Sequence, residues 1–505
     1  MRILLVSHDF LPRHPAGTEI YTWQLGLRLK RLGHDVHVFT TEKDIGRANL
    51  TVHAREWGGL PVHELVNNLF YNEFKETWDY PPAARSFGLF LDDLKPDVVH
   101  FMHLMYLSVG CIEEVAKRNL PVFYTLHDYW LQCPRFGQRV HADRSICHAI
   151  DFNRCGTCLS TFKFRQTRLE RGLAKVVARV RGVTGLDLGP LARAVRARIE
   201  ANRARRRAAP PVAPRGSAGA APLAPPTAAA QTTPSTAPAP VVRSRTADFG
   251  PVAAGLARAA ADRDAALRQR LLPAVDQFIA PSRFLRQSFV AWGLPEERVK
   301  YMRTGIDLEA FERVERQPAE RVRVAFIGTV VEHKGVHVLL RAWRRLPPAI
   351  RARAELVVYG PLQHQPDYQA RVRALAEATG ARLAGPLARA DVPAVLTRTD
   401  ILVVPSVWYE NSPLIILEAL AMGTPLLVSN LGGMAELVDD GITGFHFKVG
   451  DEEHLANRLE DLIAHPELLA SLYPEGSAVR DIGEDAAELE RLYTQALVRR
   501  GRNVK

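Results

Sequence analysis

Short apolar runs alternate with longer segments whose apolar positions recur every three or four residues, and this alternation continues along most of the chain. Ile3-Leu4-Leu5-Val6-Ser7 reads as a buried strand. The segment from Gly17 to Leu32 then places Ile20, Trp23 and Leu27 on one helical face and stops at Gly33. Val36 to Thr40 is a second strand, which makes the start of the chain a βαβ unit. Asp97 to Phe101 and Val122 to Leu126 extend the same parallel sheet, and Val275 to Ala280 and Val299 to Met302 resume it after a long interruption. A second cycle begins at Val322 to Gly328 and continues through Glu355 to Tyr359, Asp400 to Val404 and Pro425 to Ser429. The expected fold class is α/β, with two doubly wound, Rossmann-like domains. Ligands of such sheets sit beyond the carboxyl ends of the strands, so the loops after Ser7, Leu126, Gly328, Gly360, Val404 and Ser429 are where chemistry is expected.

Composition changes this picture mainly at the interruption. A chain of 505 residues, 47% hydrophobic and 24% charged, is too long for a small binding module and has the make-up of a soluble globular protein. No Pro-free apolar twenty-mer and no export-type apolar stretch after Met1 is present, so a cytoplasmic location is expected. The net charge of +11 is local: residues 161–270 hold 21 Lys and Arg against 6 Asp and Glu, and the remainder is net acidic. That distribution, without interleaved aromatics to stack bases, excludes nucleic acid as the expected partner. Ala208 to Pro240 is almost entirely Ala, Pro, Ser and Thr and is expected to be disordered or extended. Arg193 to Arg207 reads either as a solvated helical arm or as a peripheral contact for an anionic membrane surface. The expected organisation is a first domain over 1–160 and 271–310, a basic insertion over 161–270, and a second domain over 311–480. Residues 481–505 would form a terminal helix free to pack back on the first domain.

Two loops carry candidate chemistry. Gly328 is followed by Lys334 at the start of a helix, where N–H groups and the helix dipole favour an anion; the same pattern suits a plain turn, and the spacing is not that of a P-loop. Glu410-Asn411-Ser412-Pro413-Leu414-Ile415-Ile416-Leu417-Glu418 sets two carboxylates seven residues apart around a helix start at Pro413. Carboxylates accept hydroxyl hydrogen bonds with charge assistance, so the pair suits a ribose and a sugar ring; a solvated loop acid and an ordinary helix acid are the other reading.

With Lys334-Gly335 upstream and Ser429-Asn430-Leu431-Gly432-Gly433 downstream, the Glu410 to Glu418 segment resembles family-four glycosyltransferases, which retain anomeric configuration and have the GT-B fold of two domains facing across a cleft. The resemblance covers about Arg303 to Gly444. In the first half, Ala16-Gly17-Thr18-Glu19 resembles the family's glycine-bearing loop and Leu126-His127-Asp128-Tyr129-Trp130 its histidine-bearing strand end. Ala280-Pro281-Ser282-Arg283-Phe284 and Thr304-Gly305-Ile306-Asp307 are similar to segments near its hinge. The resemblance implies that Gly17, Gly328, Lys334, Ser412, Pro413, Leu414 and Glu418 bind a nucleotide-sugar donor, Lys334 at the diphosphate and Glu418 at the ribose. It implies that Glu410 and His127 act at the transferred sugar. It also implies a glycan or lipid-linked acceptor, a role in cell-surface polysaccharide synthesis, and catalysis without a required metal or cofactor. Thr329 stands where the family has an arginine, which leaves His333 and Arg303 as candidate cations. A non-catalytic nucleotide-sugar-binding protein is the alternative, although it would have no need of Glu410 and His127 together.

Cys133, Cys147, Cys155 and Cys158 form a separate set ending in C-x-x-C. Four thiolates suit a structural zinc ion, with buried free thiols and an iron–sulfur cluster as the other readings. Cys111 lies in an apolar helical context and is expected in the core.

Overall fold

The computed structural model describes residues 1–164, 170–172, 176–177, 179–180, 184, 250–311, 319–362, 365–472 and 479–502. The Arg193 to Arg207 arm and the Ala208 to Pro240 linker lie outside the described residues.

Strands read from continuous apolar runs are those buried on both faces. In the first half these are β1 (Arg2–Val6), β2 (Asp35–Glu42), β5 (Val98–Phe101), β6 (Val122–Thr125), β7 (Gln277–Ala280) and β8 (Val299–Tyr301), joined by the hairpin β3 (Val52–Trp57) and β4 (Leu60–Val66). They form one eight-stranded sheet in the order β3-β4-β2-β1-β5-β6-β7-β8. All pairs are parallel except β3 with β4. The hairpin was not expected from periodicity. It alternates exposed and half-buried positions, and its turn, Gly58-Gly59, takes φ of +56° and +81°.

The second sheet holds β9 (Val322–Ile327), β10 (Ala354–Tyr359), β11 (Arg382–Gly385), β12 (Ile401–Val404), β13 (Leu426–Ser429) and β14 (Gly444–Phe447), ordered β11-β10-β9-β12-β13-β14 and parallel throughout. Both sheets are therefore doubly wound, and strand order reverses beside β1 and beside β9, where a crevice opens at the carboxyl ends.

The boundary expected at residue 270 is corrected by the helix Pro251–Leu271. This helix packs along the helix Phe152–Ser160 so closely that a Cβ at Gly156 would lie 2.2 Å from the Ala253 carbonyl oxygen. Its Leu267 and Leu271 are fully buried. Buried Arg263 donates to the carbonyls of Leu131 (3.0 Å) and Trp130 (2.6 Å), fixing the loop that follows β6. The inward face mixes Ala257 and Ala260 with Arg263, Asp264, Leu267 and Leu271, so the Ala/Arg composition concealed a core helix.

The helix Ile482–Arg499 lies against the first sheet. Its N-terminus has a capping box between Asp481 and Glu484, Asp485 accepts from the Tyr21 hydroxyl at 2.9 Å, and Tyr493 meets His100 Nδ1 at 2.6 Å. The two chain crossings between the sheets are joined where Ile306 N–H donates to the Arg480 carbonyl and Ile482 N–H donates to the Ile306 carbonyl. Among the described residues no helix is long and apolar enough to cross a membrane.

Candidate active site

The loops beyond β9 and β12 meet at their backbones, where the Val407 N–H donates to the His333 carbonyl at 2.8 Å and Gly335 packs on Pro405. Gly335 has φ +74°, and a Cβ there would fall 1.8 Å from the Pro405 carbonyl oxygen, so only glycine lets the two loops close together. This contact sets Lys334 beside Glu410: Lys334 Nζ donates to Glu410 Oε1 at 2.6 Å, and the Ser406 hydroxyl donates to the same oxygen at 2.8 Å. Burial works against the ionised Glu410, but Lys334, with help from Ser406, holds its carboxyl below the usual carboxylate range.

Glu418 lies one turn into the helix Leu414–Ala421, which starts at Pro413 as its N-cap. It is 1% exposed and its side chain is approached by the guanidinium of Arg389. Burial nevertheless raises the Glu418 carboxyl above its usual range. The buried Ser412 hydroxyl has no hydrogen-bond partner among the described residues. Lys334 and Glu410 are thus in contact, Ser412, Pro413, Leu414 and Glu418 follow Glu410 into the same helix, and Gly328 directly follows β9. His333, considered as a source of charge, is pushed down to about 4 by burial and by the adjacent Lys334, so it is neutral near pH 7. The buried Nε of Arg303 has no partner among the described residues.

The opposite wall comes from the first sheet. His127 follows β6, and burial next to His103 pushes it down to about 3, leaving a neutral ring whose buried Nε2 has no partner among the described residues. Asn411 joins the walls: its Nδ2 donates to the Leu126 carbonyl at 2.9 Å and the His127 carbonyl at 3.3 Å, and its Oδ1 accepts from the Ser282 hydroxyl at 2.8 Å. A Cβ at Gly17 would lie 3.9 Å from Leu414 Cγ, so the first loop also faces the start of the Leu414–Ala421 helix. Farther out, His148 Nδ1 meets the Tyr409 hydroxyl at 2.7 Å and Arg144 pairs with Glu332.

Arg389 and the bridging role of Asn411 escaped the sequence reading. Arg389 follows β11, a four-residue strand, Arg-Leu-Ala-Gly, with no apolar run to announce it. Asn411 sits inside the motif, but its partners are main-chain atoms 284 and 285 positions away.

Among the described residues no three His, Cys, Asp or Glu side chains are placed to hold a metal ion. Cys147 Sγ donates to the Ala149 carbonyl at 3.2 Å, and Cys158 Sγ lies 3.6 Å from His141 Nδ1. Burial, reinforced by the neighbouring thiols, pushes Cys147 up to about 11 and Cys155 and Cys158 above their ordinary value, which favours neutral thiols.

Residues 15–183 match the model of Glycosyltransferase Family 4, and residues 308–478 match that of Glycosyl transferases group 1. Among relatives, D-inositol 3-phosphate glycosyltransferase of Saccharomonospora viridis is 32% identical over 192 residues, 35% of this chain and 44% of that protein. Putative colanic acid biosynthesis glycosyltransferase WcaL of Escherichia coli is 28% identical over 178 residues, 33% of this chain and 42% of that protein. The chain spans about half the length of the curated relatives it matches. Among solved structures, sucrose-phosphate synthase of Thermosynechococcus elongatus superposes with a TM-score of 0.60 at 15% identity, covering 98% of this chain and 99% of that one. HepE of Anabaena, solved with UDP and glucose, gives 0.58 at 14% identity over 98% and 100%. Two matched domain models, one on each side of a cleft between two parallel sheets, place the chain among the family-four-type glycosyltransferases of the GT-B fold.

Proposed function

We propose that the protein transfers a sugar, with retention of anomeric configuration, from a nucleotide-sugar donor to a hydroxyl of a glycan or lipid-linked acceptor in cell-surface polysaccharide synthesis. The observation that supports this reading is the Lys334–Glu410 pair, with Glu418 in the helix that follows it and Asn411 bonding the same loop to the His127 carbonyl. Cleaving a bond between an anomeric carbon and a diphosphate builds negative charge on the leaving phosphate and positive charge on the sugar. Lys334 supplies a cation for the first, and Glu410, held ionised beside it, supplies a hydrogen-bond acceptor and negative field for the second. Arg303 is the further cation available where the family has an arginine at the position of Thr329. Glu418 accepts the ribose hydroxyls of the nucleotide.

No protein nucleophile is assigned. The acceptor hydroxyl attacks the face from which the diphosphate leaves, and its proton passes to the leaving phosphate oxygen. His127, neutral and with Nε2 unanswered, hydrogen-bonds the sugar from the opposite wall. The printed names of relatives, which cover an inositol phosphate, glycogen and colanic acid, support hydroxyl-bearing acceptors. Association with the inner membrane face through the basic segment is part of the same proposal.

The test is thermal stabilisation of the purified chain by UDP-, ADP- and GDP-sugars, followed by transfer from those that stabilise it. Stabilisation by at least one nucleotide sugar, and α-linked product from an α-linked donor, is expected. Absence of both stabilisation and turnover across the panel would overturn the reading.

A further inference from the structure

On the second-domain side the cations of the site are already paired. Lys334 donates to Glu410 at 2.6 Å, Arg371 to Glu332 at 2.6 Å, and Arg389 is paired with Glu418. His333, pushed down to about 4, adds no charge near pH 7. The diphosphate of a nucleotide sugar bears a negative charge on each phosphate, and more of it gathers there as the bond to the sugar breaks. A lysine already joined to a carboxylate offsets little of that.

The first domain reaches the same place through the loop that follows β6. Arg144 pairs with Glu332, in the turn Glu332–Lys334, and His148 Nδ1 meets the hydroxyl of Tyr409, the residue before Glu410, at 2.7 Å. This loop is stiffly held. Buried Arg139 donates to the carbonyls of Cys147 (2.9 Å) and His148 (2.8 Å) and to Gln132 Oε1 (2.7 Å), and Val140 forms an antiparallel bridge with Ile146. Phe136, Arg139 and Arg144 take φ of +51°, +49° and +73°, a region that residues other than glycine seldom adopt. Backbone strain of this kind persists where the surroundings impose one shape, and it gathers at functional sites.

Arg135 stands at the start of the strained stretch. Its Nη1 donates to the Val140 carbonyl at 3.2 Å, while its buried Nε has no hydrogen-bond partner, and no carboxylate pairs with it among the described residues. A buried guanidinium N–H is costly to leave unmade, and a bound anion would answer it. The guanidinium is within electrostatic reach of the residue before Lys334: after burial and Lys334, Arg135 also lowers the His333 ring, against Glu410 and Glu332, which raise it. Lys334, Arg371, Arg144 and Arg135 thus gather around Glu410 and Glu332, four cations against two carboxylates, and Arg135 is the one of the four with no carboxylate of its own.

We propose that Arg135 is a donor-binding residue supplied by the first domain, its guanidinium contacting the diphosphate of the nucleotide sugar across the cleft from Lys334. The assignment rests on the transferase reading. It makes donor affinity a property of both domains, because the loop after β6 carries part of the grip.

The experiment is isothermal titration calorimetry of the full chain with the 5′-monophosphates and 5′-diphosphates of uridine, adenosine and guanosine. The parent, Arg135→Gln, Arg135→Lys and Arg303→Gln are compared; Arg303 is included because its buried Nε is likewise unanswered. At least one diphosphate is expected to bind the parent more tightly than its monophosphate. Arg135→Gln should raise the Kd of that diphosphate roughly tenfold or more, the loss of a charged hydrogen bond, with the monophosphate little changed. Arg135→Lys, which keeps the charge, should lose clearly less. Equal weakening of both nucleotides, or equal losses in the Gln and Lys variants, would make Arg135 a residue that only holds the loop and would overturn the assignment. An undiminished diphosphate preference in Arg135→Gln would overturn it too, and its loss in Arg303→Gln instead would give the role to Arg303. A parent that binds none of these nucleotides would overturn the donor reading and this assignment together, whereas the other adverse outcomes leave that reading standing.

Discussion

Lys334 and Glu410 are held 2.6 Å apart across the junction of two loops, so the cation and the carboxylate that a nucleotide sugar needs are already joined before any donor arrives. Lys334 holds Glu410 ionised, and the two are not independent targets. Glu410→Gln should lower turnover at least tenfold with little change in donor affinity. Lys334→Ala leaves Glu410 buried without its cation, beside Trp408 and Ser406, and should cost about 1.5–3 kcal/mol in stability as well as activity. Urea denaturation and initial rates check both, and a Lys334→Ala protein of parental stability would show that the pair is not structural.

Glu19 makes stability depend on pH in a defined direction. Its carboxyl is raised from 4.5 to about 8 in the folded chain, so between those values the folded state holds a proton that the unfolded state has released. Its contribution therefore falls as pH rises from about 4.5 to about 8. Glu19→Gln should narrow the difference between the Tm at pH 5 and that at pH 8. An unchanged difference would mean that the carboxyl is solvated.

Gly335→Ala should be among the most damaging single-methyl additions to the chain. The new Cβ would meet the Pro405 carbonyl oxygen at 1.8 Å in a left-handed backbone, so the loops must part and Lys334 must leave Glu410. A stability loss above about 2 kcal/mol with loss of transfer is expected. Calorimetry and a transfer assay decide it.

The thiols yield a prediction of the opposite kind. With Cys147 bonded to the Ala149 carbonyl and Cys158 beside His141, purified protein is expected to contain well under one zinc per chain and to keep its Tm in a strong chelator. One equivalent of zinc by elemental analysis, together with a chelator-lowered Tm, would show that the four cysteines rearrange into a ligand set.

Sequence legibility followed burial. Strands such as β5 and β12, enclosed on both faces, announce themselves as apolar runs, whereas β3 and β11, at the sheet edges, carry no such run. The Glu410 to Glu418 segment was readable because Lys334 completes it through a glycine with a structural reason to be there. Arg389 was not, since its pairing with Glu418 depends on where an inconspicuous edge strand ends. The cysteines mark a limit of spacing, which reports ligand number but not how the side chains are arranged. Arg263 was hidden in another way: a buried arginine bonded to two carbonyls looks, in one dimension, like part of a basic arm.

The tie between Ile306 and the segment Arg480 to Ile482 has a consequence for engineering. The chain leaves the first domain and re-enters it through neighbouring points already hydrogen-bonded to each other, so everything from 307 to 480 is a cassette with its two ends together. Replacing that cassette with the corresponding piece of another enzyme would alter donor choice while leaving the helix Ile482–Arg499 in place on its sheet. The two halves are thereby exchangeable at two splice points that hydrogen-bond each other.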